Sequence, residues 1–156
     1  MLPFAMDVFN PAVASALPQP PELVVPVRVL YFDTDAAGVM HNVAYLRHVE
    51  VARIALGEHL GWKLEDMRDS GRVPVVARTE IDYLKPARLG DTLEIRAKLA
   101  RLEKVRFHIE FEITRPTDSA TIARCHQTMV TVQLPGGRPQ PVPAVWSAVY
   151  GPSIGK

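Results

Sequence analysis

The 156-residue sequence has one cysteine, few aromatic residues and almost no net charge. The single cysteine, Cys125, excludes an intrachain disulfide and a cysteine metal cluster, and it fits a reducing compartment. A formal charge of +1 gives no electrostatic footprint for nucleic acid or for an anionic membrane surface. No apolar run approaches the ~20 residues that a membrane helix needs. We therefore expect one cytoplasmic domain that binds neither nucleic acid nor membranes.

The motifs of several enzyme classes are absent from the sequence. It contains no glycine-rich phosphate loop and no GxSxG nucleophile elbow. The histidines show no metal-ligand spacing with carboxylates or cysteines, so we expect no metal ion. Cys125 and His126 are neighbours in a strand pattern, which places their side chains on opposite faces and argues against a catalytic Cys–His pair.

Proline is frequent at both ends of the chain. Residues 1–23 contain five prolines and no basic n-region, which predicts a flexible leader rather than a signal peptide. Residues 135–156, rich in proline and glycine, are expected to form a tail that docks loosely through Trp146 and Tyr150. The ordered domain is expected over residues 24–134.

One long helix is predicted between Asn42 and Leu60, because apolar residues recur there every three or four positions. Gly61 fits the end of this helix. The apolar coverage is broad, so we expect other structure to wrap most of the helix. Residues 63–70 suit a short second helix. The apolar stripe consists of Tyr45, Val49, Ala52, Leu56 and Leu60.

Alternation of apolar and polar residues predicts the strands. Val24 to Phe32 suits a first strand, and Pro26 within it suits an edge position. Four alternating runs with short connections follow, which implies an antiparallel sheet with one apolar face. The order of elements predicts an α+β fold in which the long helix lies on a five-stranded antiparallel sheet. The four later runs are residues 73–84, 93–99, 105–113 and 121–134.

The segment YFDTDAAGVMHNVAY, residues 31–45, carries the most chemical information. Two carboxylates end the first strand, a glycine turn follows, and His-Asn opens the helix. A carboxylate beside helix-start N–H groups suits attack on a carbonyl, because the N–H groups stabilise negative charge on its oxygen. The residues concerned are Asp33, Asp35, Gly38, His41 and Asn42.

This segment resembles the motif of the hotdog-fold acyl-CoA thioesterases, of the 4-hydroxybenzoyl-CoA thioesterase and YbgC-like type. The matching residues are Tyr31–Val39, Tyr45, Glu50–Arg53 and Tyr83–Leu93, within a region from about residue 27 to 134. The resemblance implies a hotdog fold, with a curved sheet wrapped around the long helix, and hydrolysis of acyl-CoA thioesters. Coenzyme A is then part of the substrate, and no separate cofactor is expected. It also implies a homodimer or homotetramer with sites at subunit boundaries.

The resemblance assigns roles within the motif. Asp35 takes the place of the catalytic carboxylate, as nucleophile or general base. The backbone N–H near Asn42 takes the place of the donor that polarises the thioester carbonyl, and Gly38 and Val39 are expected beside the acyl group. Many YbgC-like proteins have Tyr-His where this chain has His-Asn, so the histidine is shifted by one residue. His41 is kept as a candidate that orients water.

Both aspartates also suit turn and helix-cap positions. We assign that structural role to Asp33, and the catalytic role to Asp35 because the motif and the expected geometry coincide there. Tyr45 and Glu50 are expected to shape the substrate site. Tyr45 fits core packing nearly as well, and Glu50 fits an ion pair with Arg53 three residues further along the helix.

Coenzyme A carries phosphates, so a basic cluster is expected along its path. The alternative is that these cations form a solvated strand face. The candidates lie in the second strand and around the turn between the third and fourth strands, and they are Arg78, Arg101, Lys104 and Arg106.

Two other functions remain open at this point. A hydratase or dehydratase acting on acyl-CoA or acyl-carrier protein needs an acid/base pair, for which His41 with Asp35 or Glu50 is the candidate. A non-catalytic module that binds acyl-CoA is the other. The identity of the acyl group cannot be read from the sequence.

Overall fold

A computed structural model describes residues 20–152 and 154 of the chain. It contains one long helix, two short helices and a curved antiparallel sheet. The elements in chain order are β1 (Glu22–Arg28), a 3-10 helix (Tyr31–Asp33), α1 (Asn42–His59), α2 (Leu64–Ser70), β2 (Arg72–Tyr83), β3 (Thr92–Leu102), β4 (Arg106–Arg115), β5 (Ala120–Gln133), β6 (Arg138–Pro139) and α3 (Ala144–Tyr150).

The sheet has the strand order β1-β3-β4-β5-β2, and every pairing is antiparallel. The two-residue strand β6 pairs with β5 and adds a sixth strand to the five that the sequence predicts. The two edges of the main path are β1 and the twelve-residue strand β2. An edge strand presents unpaired backbone N–H and C=O groups, so β2 offers a long, free pairing surface.

The helix α1 lies on the sheet and buries the predicted stripe. Ala44, Tyr45, Val49, Ala52 and Leu56 are all buried, in contact with side chains of β3 and β1 and the rest of the core. Most positions of the helix are covered, as expected, but one face stays open in the single chain. The open face of α1 carries Val43, 55% exposed, and Val51, 51% exposed.

No helix of the described residues is long and apolar enough to cross a membrane.

The first strand ends earlier than predicted. It stops at Arg28, and residues 31–33 turn into a 3-10 helix instead of extending the sheet. The change of direction lets the Asp33 carboxylate turn inward, where backbone and side-chain donors satisfy it. Pro26 lies on an edge strand, as predicted, where its missing N–H costs no ladder hydrogen bond on the open side.

The predicted boundary at residue 135 does not separate a loose tail from the domain. Trp146 and Tyr150 of α3 are buried, and the Trp146 indole donates to the Leu60 carbonyl at 3.0 Å. The ring of Trp146 also packs edge-on against Trp62 and Phe107. The C-terminal helix therefore closes one end of the core. The predicted leader falls almost wholly outside the described residues.

Candidate active site

The site begins with a tight turn between the first strand and α1. Thr34 and Met40 form an antiparallel bridge, and the Gly38 N–H donates to the Asp35 carbonyl at 2.9 Å to close the turn. Gly38 has φ +70°, a left-handed conformation that glycine adopts without strain. A Cβ on Gly38 would meet nothing within 4 Å, so the turn itself requires this glycine. The turn fixes Asp35 at the surface beside the helix start.

The Asp35 carboxylate is exposed and partly held by its own turn. Its Oδ1 accepts a hydrogen bond from the Ala37 N–H at 2.8 Å, as in an Asx turn. This bond orients the side chain but leaves the second oxygen without a hydrogen-bond donor among residues 20–152. One carboxylate oxygen is thus available for a reacting group.

The first turn of α1 supplies the backbone donors. His41 is the N-cap residue and Asn42 is the first helical residue. Within the described part of the chain, the Asn42 N–H has no hydrogen-bond acceptor, as expected for the first turn of a helix. An unsatisfied N–H at the positive end of the helix dipole is a donor for a developing oxyanion.

Asp35 and Asn42 line one groove of about 450 Å³. Its opposite wall is the end of β2 and the turn that follows. The Arg115 guanidinium holds this turn in place, because it donates to the Pro86 carbonyl at 3.2 Å and pairs with Asp91 at 2.9 Å. The carboxylates of Asp118 and Asp91 raise the pKa of Arg115, so the clamp stays charged. The other residues lining the groove are Met40, His41, Tyr45, Tyr83, Leu84, Lys85 and Pro86.

His41 has both ring nitrogens engaged with the backbone. Nδ1 accepts from the Ala44 N–H at 3.1 Å and caps the helix. This bond places the ring proton on Nε2, which lies 3.3 Å from the Phe32 carbonyl and donates to it. The residue lies in the groove as predicted, but its contacts are those of a helix cap rather than of a free acid or base.

Replacing His41 with alanine is expected to lower the free energy of unfolding by about 1 kcal/mol, the usual value of a lost N-cap. Chemical denaturation measures this loss. His41→Asn, which supplies another cap acceptor, is the matched control and should keep most of the stability. If His41 only caps α1, both variants keep the catalytic rate of the wild type; a loss of kcat in both would instead give the imidazole a chemical role.

Asp33 is the buried carboxylate of the motif and is 1% exposed. Its Oδ1 accepts from Arg47, and its Oδ2 accepts from the Leu30 N–H at 2.9 Å and lies 3.3 Å from His48 Nε2. Its carbonyl also accepts from the His41 N–H at 2.9 Å. These contacts agree with the structural role predicted for Asp33, because they tie the 3-10 helix to the first two turns of α1.

Tyr45 and Glu50, both predicted to shape the site, lie in different places. Tyr45 is buried and lines the groove, and its ring packs edge-on against Tyr83 with centroids 5.1 Å apart. Burial raises the pKa of its hydroxyl. Glu50 lies two turns further along α1, outside the groove, and pairs with Arg53 at 3.3 Å. Only Tyr45 of the two contacts the Asp35 groove within one chain.

The four basic candidates are spread along the sheet. Arg78 lies five residues from Tyr83 along β2, about 16 Å at ~3.3 Å per residue, and Arg101 lies in the same row through the His108 and Thr128 pairings. Arg106 is in register with Val130, and Val130 with Val75, eight residues or about 26 Å from the Tyr83 end of β2. Arg78 pairs with Glu80 at 2.7 Å and Arg101 with Glu103 at 3.4 Å, whereas Lys104 and Arg106 have no ion-pair partner among the described residues.

Several contacts were not visible in the sequence pattern. Tyr83 and Lys85 line the groove, although only a strand and a turn were predicted there. His108 Nδ1 and His126 Nε2 lie 3.2 Å apart on the outer face of the sheet, because the β4–β5 register brings them together.

No group of three or more His, Cys, Asp or Glu residues in the described ranges is arranged for a metal ion. Burial raises the pKa of the inward-facing Cys125 to about 11, so its thiol is protonated at neutral pH.

Comparison with known proteins identifies sequence relatives of this chain. An acyl-CoA thioester hydrolase, YbgC, of Escherichia coli O157:H7 is 35% identical over 77 residues, which cover 49% of this chain and 58% of the relative. The chain thus matches little more than half the length of that protein. A 1,4-dihydroxy-2-naphthoyl-CoA hydrolase of Synechocystis is 28% identical over 123 residues, covering 76% of this chain and 87% of the relative.

A solved structure shares the same architecture. The crystal structure of a 1,4-dihydroxy-2-naphthoyl-CoA thioesterase from Synechocystis superposes with a TM-score of 0.75 at 24% identity, over 82% of this chain and 95% of the other. The predicted hotdog fold is thereby confirmed. A sequence model of the thioesterase-like superfamily matches residues 29–149, from the residue that follows β1 to the C-terminal helix. The chain belongs to the thioesterase-like superfamily.

Proposed function

We propose that this protein hydrolyses the thioester of an acyl- or aroyl-CoA to the free acid and coenzyme A. The observation that carries the proposal is the groove shared by the Asp35 carboxylate and the unpaired Asn42 N–H at the start of α1. The similarity to proteins named as acyl-CoA thioester hydrolases supports it.

The chemistry follows from these two groups. Attack on the thioester carbonyl builds negative charge on its oxygen, and the Asn42 N–H donates a hydrogen bond to that oxygen. Asp35 either attacks the carbonyl carbon itself or removes a proton from the attacking water. The C–S bond then breaks, and the coenzyme A thiolate takes up a proton. If Asp35 has attacked directly, a mixed anhydride between the acyl group and Asp35 remains, and water hydrolyses it to the free acid and the Asp35 carboxylate. Gly38 and Val39 belong to the turn that carries Asp35, and neither lines the groove itself.

The wild-type enzyme is tested by a thiol-release assay over acetyl-, octanoyl-, benzoyl- and naphthoyl-CoA. We expect stoichiometric release of free thiol and carboxylic acid from at least one class. Tight binding of all four without release would instead favour an acyl-CoA-binding module. A single turnover in ¹⁸O-labelled water tests for the nucleophilic route, because hydrolysis of the anhydride at the aspartyl carbon puts the label into Asp35 and leaves the first product unlabelled, whereas activated water labels only the product.

The groove does not favour a hydratase. That reaction needs an acid and a base on either side of the acyl chain. His41 uses both ring nitrogens on backbone groups, and Glu50 lies outside the groove in an ion pair with Arg53. Only Asp35 is left with an available oxygen, which suits hydrolysis.

We infer that the protein acts as a homodimer or a larger homo-oligomer. Within one chain the basic cluster of Arg78, Arg101, Lys104 and Arg106 runs from the middle of the sheet, at Arg78 and Arg101, to its far end from Asp35, at Arg106. If two copies pair antiparallel through their β2 edges, the Tyr83 end of one strand lies beside the Arg72 end of the other. This arrangement also covers the open β2 edge and brings the cluster of one chain toward the Asp35 groove of its partner.

Val76→Glu on β2 is expected to shift the protein from dimer to monomer, because it places a charge on the pairing edge. Val76 is 44% exposed in the single chain, so the change should leave the fold intact. Val24→Glu on the opposite edge, at 43% exposure, is the matched control. Analytical ultracentrifugation gives the result, and a Val76→Glu protein that stays dimeric would exclude the β2 edge as the interface.

Charge reversal at Lys104 and Arg106 is expected to raise KM for acyl-CoA about tenfold while kcat changes little, because each cation contributes a charge-assisted contact to a phosphate. The assay compares acyl-CoA with the acyl-pantetheine thioester, which lacks the nucleotide phosphates. The acyl-pantetheine KM should not respond. Equal effects on both substrates would place the phosphates elsewhere.

A further inference from the structure

Two histidines meet on the outer face of the sheet, on the side opposite the core. His108 Nδ1 lies 3.2 Å from His126 Nε2, although 18 residues separate the two along the chain. The β4–β5 register causes this contact, because it pairs His108 with Thr128, two residues beyond His126. Residues two apart on a strand share a face, so both rings project from the same side of the sheet.

The second ring nitrogen of His108 is held by a carboxylate. Its Nε2 lies 3.0 Å from Glu103 Oε1, at the turn between β3 and β4. An ionised carboxylate only accepts, so Nε2 donates to it and, in the neutral ring, Nδ1 keeps a lone pair. A carboxylate behind a histidine is the arrangement that orients metal-bound imidazoles in proteins. The Nδ1 lone pair therefore points away from Glu103 and is available on the His126 side.

Three electronegative atoms converge at this point. They are His108 Nδ1, His126 Nε2 and Thr128 Oγ1, which lies 3.3 Å from His108 Nδ1. The single lone pair on Nδ1 accepts one well-directed hydrogen bond, either from His126 or from Thr128. A cation uses the lone pairs of both rings at once, so it satisfies this group of atoms better than hydrogen bonds alone.

The distance between the two nitrogens suits a shared metal ion. Imidazole nitrogens bind zinc at ~2.0–2.1 Å. With 3.2 Å between the nitrogens, an ion at that distance from both subtends an angle of about 100°. This angle lies between those of a square-planar and a tetrahedral site. Both rings can therefore bind one ion with little movement.

The pair is open to solvent on one side. Both histidines are half-buried, and His126 lines a groove of about 500 Å³ on the outer face. Glu80 and Glu110 line the same groove, and each is in register with His126, one on β2 and one on β4. An ion can therefore reach His126 from the groove, and the two flanking carboxylates favour a cation there.

We propose that His108 and His126 bind a divalent transition-metal ion, Zn²⁺ or Cu²⁺, that joins β4 to β5. Imidazole nitrogen suits these ions, whereas Mg²⁺ and Ca²⁺ take oxygen ligands. The described residues place no third His, Cys, Asp or Glu at this point, so the Thr128 hydroxyl and water complete the coordination. The site is separate from the proposed thioesterase chemistry, because it lies on the outer face of the sheet and shares no residue with the Asp35 groove.

Calorimetric titration of the full chain, without a histidine tag, with ZnCl₂ and CuCl₂ tests the site. We expect one bound ion per chain and no binding of MgCl₂. His126→Gln should bind about tenfold more weakly or worse, because even the loss of a group that only orients a ligand costs about tenfold. His59→Gln, which removes an exposed imidazole of α1, is the matched control and should bind as the wild type does. No binding to the wild type, or equal affinity in His126→Gln, overturns the proposal.

The Cu²⁺ complex of the wild type also reports its ligands directly. Its electron paramagnetic resonance spectrum is expected to show coupling to two imidazole nitrogens, and that of His126→Gln to one. A spectrum with one imidazole in the wild type would overturn the proposal whatever the stability of the variant.

Thermal unfolding provides a third measurement. An ion that binds only the folded chain raises its melting temperature, because the unfolded chain does not hold the two rings together. Zn²⁺ is expected to raise the melting temperature of the wild type and of His59→Gln but not that of His126→Gln. Each protein is compared with and without Zn²⁺, so a less stable variant still gives a decision. An equal rise in all three proteins would place the ion elsewhere and overturn the proposal.

Discussion

Asp35→Asn is expected to lower kcat for every acyl-CoA that the wild type cleaves by about 10³-fold, because the amide is neither a nucleophile nor a base. The fold should survive the change. The asparagine Oδ1 can accept the same hydrogen bond from the Ala37 N–H that closes the Asx turn in the wild type. Thiol release measures the rate, and calorimetric titration with coenzyme A should show nearly unchanged affinity.

The matched control for this variant is Asp69→Asn, which removes one exposed carboxylate far along the chain from the groove. It should keep full activity. The comparison separates loss of the Asp35 carboxylate from a general loss of charge. Retention of wild-type kcat by Asp35→Asn would remove Asp35 from the mechanism and with it the proposed reaction.

Asp33→Ala is expected to lower the free energy of unfolding by about 3 kcal/mol. Breaking a buried ion pair costs ~3–5 kcal/mol when the remaining charge stays buried. Arg47 is 48% exposed and keeps part of its hydration, so we expect the lower end of that range. The Leu30 N–H and His48 Nε2 also lose an acceptor. Urea denaturation gives the free energy, and thermal unfolding should shift by roughly 10 °C.

Substitutions of the two neighbouring carboxylates, Asp33 and Asp35, are expected to have opposite effects on stability and on kcat. Asp33→Ala should lose stability and keep most of its kcat at temperatures where it is folded. Asp35→Asn should keep stability and lose kcat. An Asp33→Ala protein as stable as the wild type would show that the 3-10 helix and α1 are held together without this ion pair.

The periodicity of the sequence predicted most of the secondary structure. The long helix was predicted from Asn42 to Leu60 and is observed from Asn42 to His59. The later strands were predicted within a few residues of their ends, because alternation of apolar and polar residues reflects a sheet with one buried face. Such local patterns do not depend on contacts between residues that are distant along the chain. They can therefore be recognised from the sequence without a structure.

The predictions from the sequence are wrong where tertiary contacts override the local pattern. Tyr31 and Phe32 look like strand residues, but Asp33 turns the chain inward to meet Arg47. Trp146 and Tyr150 of the C-terminal segment dock on the domain as predicted, but they belong to a helix packed into the core, with Trp146 against Trp62 and Phe107, and not to a loose tail. In both cases the partner residue is distant in sequence, so the local pattern does not show the contact.

The sequence by itself determined the fold class, the turn that presents Asp35 and the start of α1 behind it. The fold class follows from the periodicity of the whole domain. The turn and the helix start depend on side chains and backbone groups within about fifteen residues. The tertiary structure decided which polar groups remain available. It engaged both nitrogens of His41 with backbone groups, buried Asp33 against Arg47, and placed Arg106 toward the start of β2. Strand register fixes the positions on the sheet, because register joins residues that are far apart along the chain.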